Sequence, residues 1–264
     1  MVLQPPRCRD DAVARGFLLL DSSAGMPKIR CLATLRTGAA ERVMRHEVIA
    51  IDGPAAAGKT TVARRLAQRL GYLYLPSGAF YRALAWQALR TGTPLDDELA
   101  LADLADRTTI AARLVEGECR LFVNGTDVTD QLGTSAVSDA ASRISVFPRV
   151  RERLVPLQRQ MADLGPLVAE GRDMASVVFP QAAHKFYLDA SLEERTRRRA
   201  RDLRRLGEEP DEAALRRELM ARDQRDSSRQ AAPLRQVEDA ERVDTTELGV
   251  EEVVERLLEA MGRR

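Results

Sequence analysis

Val48-Ile49-Ala50-Ile51, then Gly53-Pro54-Ala55-Ala56-Ala57-Gly58-Lys59-Thr60, then Thr61 to Leu70: reading this stretch decides the fold. The first four residues form a short apolar, partly β-branched run, as a buried parallel strand requires. The octet matches G-x-x-x-x-G-K-[ST], and Val62, Ala63, Leu66, Ala67 and Leu70 follow at helical spacing. A strand running into a glycine-bounded loop that opens a helix presents successive backbone N–H groups and a helix N-terminus to phosphate oxygens. Gly58 permits close backbone approach, Lys59 can reach β- and γ-phosphates, and the Thr60 hydroxyl can ligate Mg²⁺. Lys28, Lys59 and Lys185 are the only lysines, every other basic residue being arginine, so composition alone does not account for a lysine here. The motif implies a nucleoside triphosphate with Mg²⁺ and leaves the acceptor open.

Outward from the loop, strands and helices alternate. Tyr72 to Leu75 reads as a strand, and Ala79 to Leu89 as a helix ended near Gly92 and Pro94. Leu114 to Val128 alternates around Gly117 and an Asn124-Gly125 turn, which predicts a small antiparallel meander inside an inserted lobe at 108–130. Helices are expected over Ser135–Ile144, Pro148–Asp163, Asp211 to about Arg225, and Val250–Met261. Strands are expected at Leu167–Ala169, Lys185–Leu188 and Arg242–Asp244. Ser191 and Glu194 form a capping box that opens an arginine-rich helix. The class is α/β, with a doubly wound parallel sheet flanked by helices.

Composition sets the limits. Hydrophobic residues make up 44% of 264, enough for a sizeable core. Lys+Arg total 41 against 40 for Asp+Glu, a net charge of +1, which argues against a surface given over to nucleic acid or anionic lipid. Three scattered cysteines without a C-x-x-C pair predict neither a disulfide framework nor a zinc site, and fit a reducing cytoplasm. No run approaches the ~18 apolar residues of a membrane span, so a soluble protein is expected. Residues 1–45 lack sustained periodicity and read as a poorly ordered extension or as translation from a mis-assigned start, with Met44 and then Met26 as alternative first residues. A transit peptide is the other reading of this arginine-containing segment, weakened by its acidic residues.

Further clusters carry charge placed for chemistry. Leu75-Pro76-Ser77-Gly78-Ala79-Phe80-Tyr81-Arg82 follows a strand and opens a helix, with Arg82 one turn beyond Gly78 and able to hold a phosphate bidentately. Glu170-Gly171-Arg172-Asp173 lies at the carboxyl edge of a strand, where α/β ligands bind. Arg195, Arg197, Arg198, Arg199, Arg201, Arg204 and Arg205 form a run open to three readings: a solvated helix, an RNA-binding patch, or a lid that closes arginines over a transferring phosphate. Arg222, Arg225, Asp226 and Arg229 recur at three- and four-residue spacing and so share one helix face, for which an i,i+4 ion-pair ladder is the plain reading.

These blocks together resemble the bacterial-type cytidylate kinases, within the nucleoside monophosphate kinases. IDGPAAAGKTT, LPSGAFYR, FPRVRERL at 147–154, EGRDMASVVFP at 170–180, LDASLEER at 188–195 and RDQRDSSRQAAPL at 222–234 carry the likeness from about Val48 to the C-terminus. The resemblance implies a P-loop NTPase-type sheet in a kinase domain at 46–264, with a nucleotide-binding insert over about 76–165 and an arginine-rich lid over about 193–212. It implies an ATP phosphate loop at Gly53, Pro54, Ala55, Ala56, Ala57, Gly58, Lys59, Thr60 and Thr61, with Thr60 on Mg²⁺. Ser77, Asp173 and Arg222 are similar to sugar-side contacts. Ser142, Arg151 and Asp226 are similar to residues that read cytosine, and Tyr81 belongs to the same CMP site. Arg82, Arg172 and Arg229 correspond to the acceptor-phosphate clamp, and Arg195, Arg198 and Arg199 to lid arginines at the transferred group. With Lys59 and Arg172, those three make up the expected catalytic set.

The implied reaction is ATP-dependent phosphorylation of CMP and dCMP, by a cytoplasmic monomer with no nucleic-acid or membrane partner. The alternatives are a kinase for UMP or AMP, and a nucleotide-dependent RNA-binding module. Three departures stand out: Ala55-Ala56 where the family has Ser-Gly, Pro76 where it has Asp or Thr, and Glu170 where it has Asp. Ala56 lacks the freedom of glycine at positive φ.

Overall fold

The structure, a computed structural model, describes residues 18–21, 28–31, 46–115, 118–205 and 207–262. β1 (Leu18–Asp21) and β2 (Lys28–Cys31) pair antiparallel. Otherwise the expected N-terminal extension lies outside the described residues. The remaining elements, in chain order, are β3 (Val48–Asp52), α1 (Lys59–Leu70), β4 (Leu73–Pro76), α2 (Ser77–Thr91), α3 (Glu98–Arg107), β5 (Ile110–Val115), β6 (Glu118–Val123), β7 (Thr126–Asp127), α4 (Ser135–Ile144), α5 (Pro148–Gln160), β8 (Leu167–Glu170), β9 (His184–Asp189), α6 (Leu192–Arg205), α7 (Glu212–Ser228), β10 (Glu241–Asp244) and α8 (Val250–Gly262).

Five of these strands form a wholly parallel sheet in the order β10-β9-β3-β8-β4. β3, buried along its length, is the central strand. Its pleat sends Val48 and Ala50 into the core under α2, α4 and α5, and Ile49 and Ile51 into the core under α1 and α8. Both faces of the sheet are therefore covered, as the unbroken apolar run of β3 anticipates. β4 is an edge strand, so Pro76 at its end removes no ladder donor that the sheet needs, and α2 starts directly after it. The meander is present as β5-β6-β7, turned through Asn124 and Gly125, both at positive φ. Leu121 and Val123 of β6 join the core beneath α2, which fastens the inserted lobe to the main body.

Besides the β1–β2 pair, which the sequence reading did not anticipate, α3 and one helical turn escaped it. α3 is short and acidic, and presents only Leu101, Ala102 and Leu104 to the core, so its periodicity is faint. Its signal was Asp97, whose carboxylate accepts the Ala100 N–H at 3.0 Å. A single wide helical turn over Met174–Val178 follows the Glu170–Asp173 block, and it is capped by a distant residue, described below. Among the described residues no helix is long and apolar enough to cross a membrane.

Gly53 sits at φ +147°, and a Cβ added there would collide with the Leu188 carbonyl oxygen of β9. Gly53→Ala is expected to cost roughly 3 kcal/mol or more from backbone strain and overpacking together. Thermal unfolding should register this as a fall in Tm of about 6 °C or more.

Candidate functional site

The phosphate loop runs between the carboxyl end of β3 and the N-terminus of α1. Gly58 takes a left-handed conformation at φ +89°, and so does Ala56 at φ +60°. For an alanine this backbone costs on the order of 1–2 kcal/mol, so the departure from glycine noted in the sequence leaves a strained residue in the loop. The buried Lys59 donates from Nζ to the Pro54 carbonyl oxygen at 2.6 Å, which closes the loop on itself. Burial, reinforced by the nearby Arg172 charge, pulls its ammonium down to about 7. Behind it, buried Asp52 accepts the Met174 and Ala175 N–H groups at 2.9 and 2.8 Å, capping the turn after the Arg172-Asp173 pair. Burial pushes this carboxyl up to about 7. Thr60 Oγ1 donates to Glu170 Oε1 at 3.0 Å, and the Tyr74 hydroxyl donates to the same oxygen at 3.3 Å. The longer Glu170 side chain therefore still reaches the loop threonine.

A cleft of about 620 Å³ extends from this loop across the carboxyl ends of β4 and β8 to α4 and α7. Ion pairs line its far side. Arg172 Nε donates to Asp226 Oδ2 at 2.8 Å, buried Arg151 pairs with Asp173, and Arg229 Nη2 lies 3.5 Å from the other Asp173 oxygen. Burial raises the Asp226 carboxyl, but the Arg172 and Arg222 charges and the Arg172 hydrogen bond outweigh it and hold the group below the usual carboxylate range. Burial likewise opposes the Arg172 charge, yet Asp226 leaves that guanidinium more basic than usual.

Other cations in the cleft are less well served. Burial, with Arg172 nearby, lowers Arg222 to about 10, and burial also lowers Arg82 and Arg229. Arg222 Nε, Tyr81 Oη and Ser142 Oγ are buried without a hydrogen-bond partner. Burial pushes the Tyr81 hydroxyl up to about 12, so it is a neutral donor and acceptor throughout the physiological range. Unmatched buried donors beside surplus positive charge form a cavity suited to a polar anion.

α6 and α7 close the third side. Arg198 donates from Nε to Glu194 at 2.8 Å and from Nη1 to the Thr245 hydroxyl at 2.9 Å, against the Gly58 backbone. Arg198, Arg199, Arg201 and Arg205 face the cleft, whereas Arg197 and Arg204 are exposed and pair with Glu194 and Glu212. Arg195 turns behind the loop to Asp223, Ala55 and Ala190.

Almost the whole expected set thus shares one cavity. Ala55 to Thr61, Ser77, Tyr81, Arg82, Ser142, Arg151, Arg172, Asp173, Arg198, Arg199, Arg222, Asp226 and Arg229 line it, while Gly53, Pro54 and Arg195 do not. Arg225, grouped with Arg222 by spacing, instead reaches Asp139 of α4 at 3.1 Å, and Arg229 falls just past the end of α7. The base, sugar and phosphate groups that the resemblance separates are interleaved here as Arg151–Asp173 and Arg172–Asp226 pairs. Sequence reasoning missed Asp52, Tyr74, Asp223 and Thr245. Asp52 and Thr245 lie beside strand ends that face the cleft, which was the signal available for them.

The family profile described as cytidylate kinase matches residues 49–263. A cytidylate kinase of Symbiobacterium thermophilum is 49% identical over 215 residues, covering 81% of this chain and 95% of its own. One from Geobacillus kaustophilus is 47% identical over 220 residues, covering 83% and 98%. Another, from Pasteurella multocida, is 44% identical over 211 residues, covering 80% and 93%.

The depressed Lys59 ammonium has a measurable consequence. An arriving polyphosphate favours the charged amine and raises its pKa, so binding above pH 7 takes up a proton, whereas below pH 7 the proton is already present. Calorimetric titration with ATP at pH 8, in buffers of different ionisation enthalpy, is expected to show uptake of up to about one proton per site. Lys59→Met should abolish that uptake.

Proposed function

The chain belongs to the cytidylate kinase family and is a nucleoside monophosphate kinase, and from that premise we propose that it transfers the γ-phosphoryl group of ATP to CMP and dCMP, giving ADP and CDP or dCDP. The observation that carries this reading is the single cleft in which a phosphate loop faces a buried set of unmatched cationic and polar donors.

In this reading an oxygen of the acceptor phosphate attacks the γ-phosphorus, and the bridging oxygen leaves with ADP. No side-chain nucleophile is needed, because the work is positioning and charge stabilisation. The loop amides and Lys59 hold the donor phosphates, Arg82, Arg172 and Arg229 hold the acceptor phosphate, and Arg198 and Arg199 meet the charge that builds up between them. Ser77, Asp173 and Arg222 serve the sugar. Ser142, Arg151 and Asp226 read the base, with Tyr81 beneath Arg151, whose guanidinium carbon lies 5.6 Å from the ring centroid. Cytosine offers an amine donor beside N3 and O2 acceptors, matching a carboxylate with arginine and serine donors. Uracil presents an acceptor to Asp226 and leaves buried groups mispaired.

Mg²⁺ fits the donor side. Thr60 Oγ1 and Glu170 offer hard oxygens 3.0 Å apart, and among the described residues no cluster of three acidic, histidine or cysteine side chains forms a dedicated cage. A partial protein shell completed by phosphates and waters is the arrangement Mg²⁺ prefers. Bound there by Thr60, and by Glu170 directly or through water, the ion supplies charge neutralisation to the donor phosphates. We further propose a cytoplasmic monomer, a reading supported by a cleft that a single chain builds.

ADP release with ATP and Mg²⁺, measured against CMP, dCMP, UMP and AMP in parallel, tests the assignment. Turnover confined to CMP and dCMP is expected, and turnover mainly with UMP or AMP overturns the base reading. Arg172→Ala is expected to lower kcat by about 10²–10³-fold with Tm little changed. Asp226→Asn should shrink the CMP-over-UMP preference in kcat/KM by about tenfold or more.

A further inference from the structure

Arg195 belongs by sequence to the run that lines the cleft, yet its contacts lie elsewhere. On the first turn of α6, it donates from Nε to the Ala190 carbonyl at 3.1 Å, and from Nη1 to Asp223 Oδ2 at 2.5 Å and the Ala55 carbonyl at 3.3 Å. Asp223, on α7, turns its other oxygen to the Ala55 N–H at 3.3 Å. The two side chains close a ring around one residue: the carboxylate takes the N–H of Ala55 and the guanidinium takes its C=O. Their side chains are 10% and 22% exposed, so neither contact is a fully solvated surface pair. Neither residue lines the cleft.

The gripped residue immediately precedes Ala56, the non-glycine residue held at φ +60°. Without external restraint, an alanine there gains by leaving the left-handed region. Departure would swing the following N–H groups away from the direction in which a phosphate must meet them. We infer that Arg195 and Asp223 are positioning residues that brace the phosphate loop through both peptide groups of Ala55, holding Ala56 in its strained conformation so that the loop stays shaped for the donor's phosphates. Arg195 then acts through the loop and does not touch the transferring group. The brace also fastens α6 and α7 to the phosphate loop, because Arg195 lies on α6 and Asp223 on α7, alongside Arg222 and Asp226.

This inference rests on the kinase reading above. The test compares the wild-type protein with Asp223→Ala, Asp223→Asn, Arg195→Ala and the Arg195→Ala/Asp223→Ala pair. ADP binding is measured by calorimetry, and KM for ATP and CMP by steady-state kinetics. Loss of the brace is expected to raise the ADP Kd and the ATP KM by about tenfold or more, with the CMP KM changed by less than about threefold. The double variant should be no worse than the weaker-binding single variant, because the pair acts as a unit. Ala56→Gly, which removes the strain, is expected to restore most of the ADP affinity lost in the Asp223→Ala background. Asp223→Asn, which keeps an acceptor for the Ala55 N–H and the side-chain volume, should lie between wild type and Asp223→Ala.

Unchanged ADP affinity in Asp223→Ala and Arg195→Ala overturns the brace. So does a large kcat loss in Arg195→Ala with ADP binding intact, which would make Arg195 a transfer group. A wild-type protein that binds ADP but phosphorylates no nucleoside monophosphate overturns the kinase reading and leaves the ADP-binding arm to judge the brace by itself.

Discussion

Buried positive charge with too little negative charge to balance it is the constraint around which this molecule is arranged. Guanidinium groups are costly to bury unpaired, and the carboxylates that share the cleft do not match the arginines in number. The protein meets the difficulty by pairing within the site. Asp226 takes Arg172, Asp173 takes Arg151 and stands near Arg229, and Glu194 takes Arg198. What is left over appears as lowered basicity in Arg82, Arg222 and Lys59 and as unmatched polar atoms at Tyr81 and Ser142. The leftover groups are ones that a polar anion would satisfy.

The parallel sheet makes this concentration possible. β3, β8 and β4 all end on the same side, so three chain crossings deliver the loop after Asp52, the Glu170–Asp173 block and the Ser77–Arg82 turn to one crevice. Helix N-termini at Lys59 and Ser77 add their partial positive charge there. Asp52 ties two of the crossings together, because its carboxylate belongs to the donor-side strand and caps the turn that follows the acceptor-side arginine. Movement of the loop cannot therefore be independent of movement at Arg172. In a reaction whose acceleration comes from holding two phosphates in line, such rigid coupling accounts for a buried, costly carboxylate better than stability does.

Much of this was legible in the chain because the signals were local. The strand, loop and helix at 48–70 satisfy three independent rules at once, and Ser191 caps α6 by accepting the Glu194 N–H at 3.2 Å, although the other half of the expected box is replaced: the Ser191 N–H donates to Thr246 Oγ1 at 2.9 Å and Glu194 pairs with Arg197 and Arg198. Ser77 and Asp226 came from motif blocks, Ser142 from the family resemblance alone, and all three line one cavity. What could not be read was the partner of each charge. Nothing in the spacing reveals that Arg151 meets Asp173 across 22 positions, or that Arg195 reaches Ala55 across 140. The same limit separates Arg195 from Arg198: three residues apart on one helix, one turns behind the phosphate loop and the other lies against Gly58. α3 was missed for a different reason: it is a short helix whose cue was the single Asp97 cap.

The phosphate loop shows how a local rule can be broken when tertiary structure absorbs the cost. The alanine at position 56 occupies a backbone region that favours glycine, next to Gly53 and Gly58, where glycine is kept. Gly53 differs from the altered position in what a methyl group meets. At Gly53 a Cβ would strike the β9 backbone, which has nowhere to go, so no side chain is tolerated. At 56 the penalty is conformational, on the order of 1–2 kcal/mol, and a conformational penalty can be met by neighbours that fix the backbone. The hydrogen bonds to Ala55 and the Lys59–Pro54 closure are neighbours of that kind. A loop held in part by residues of α6 and α7 links its shape to the placement of those helices. The arginines that face the cleft are then in place when the loop is ready for a phosphate.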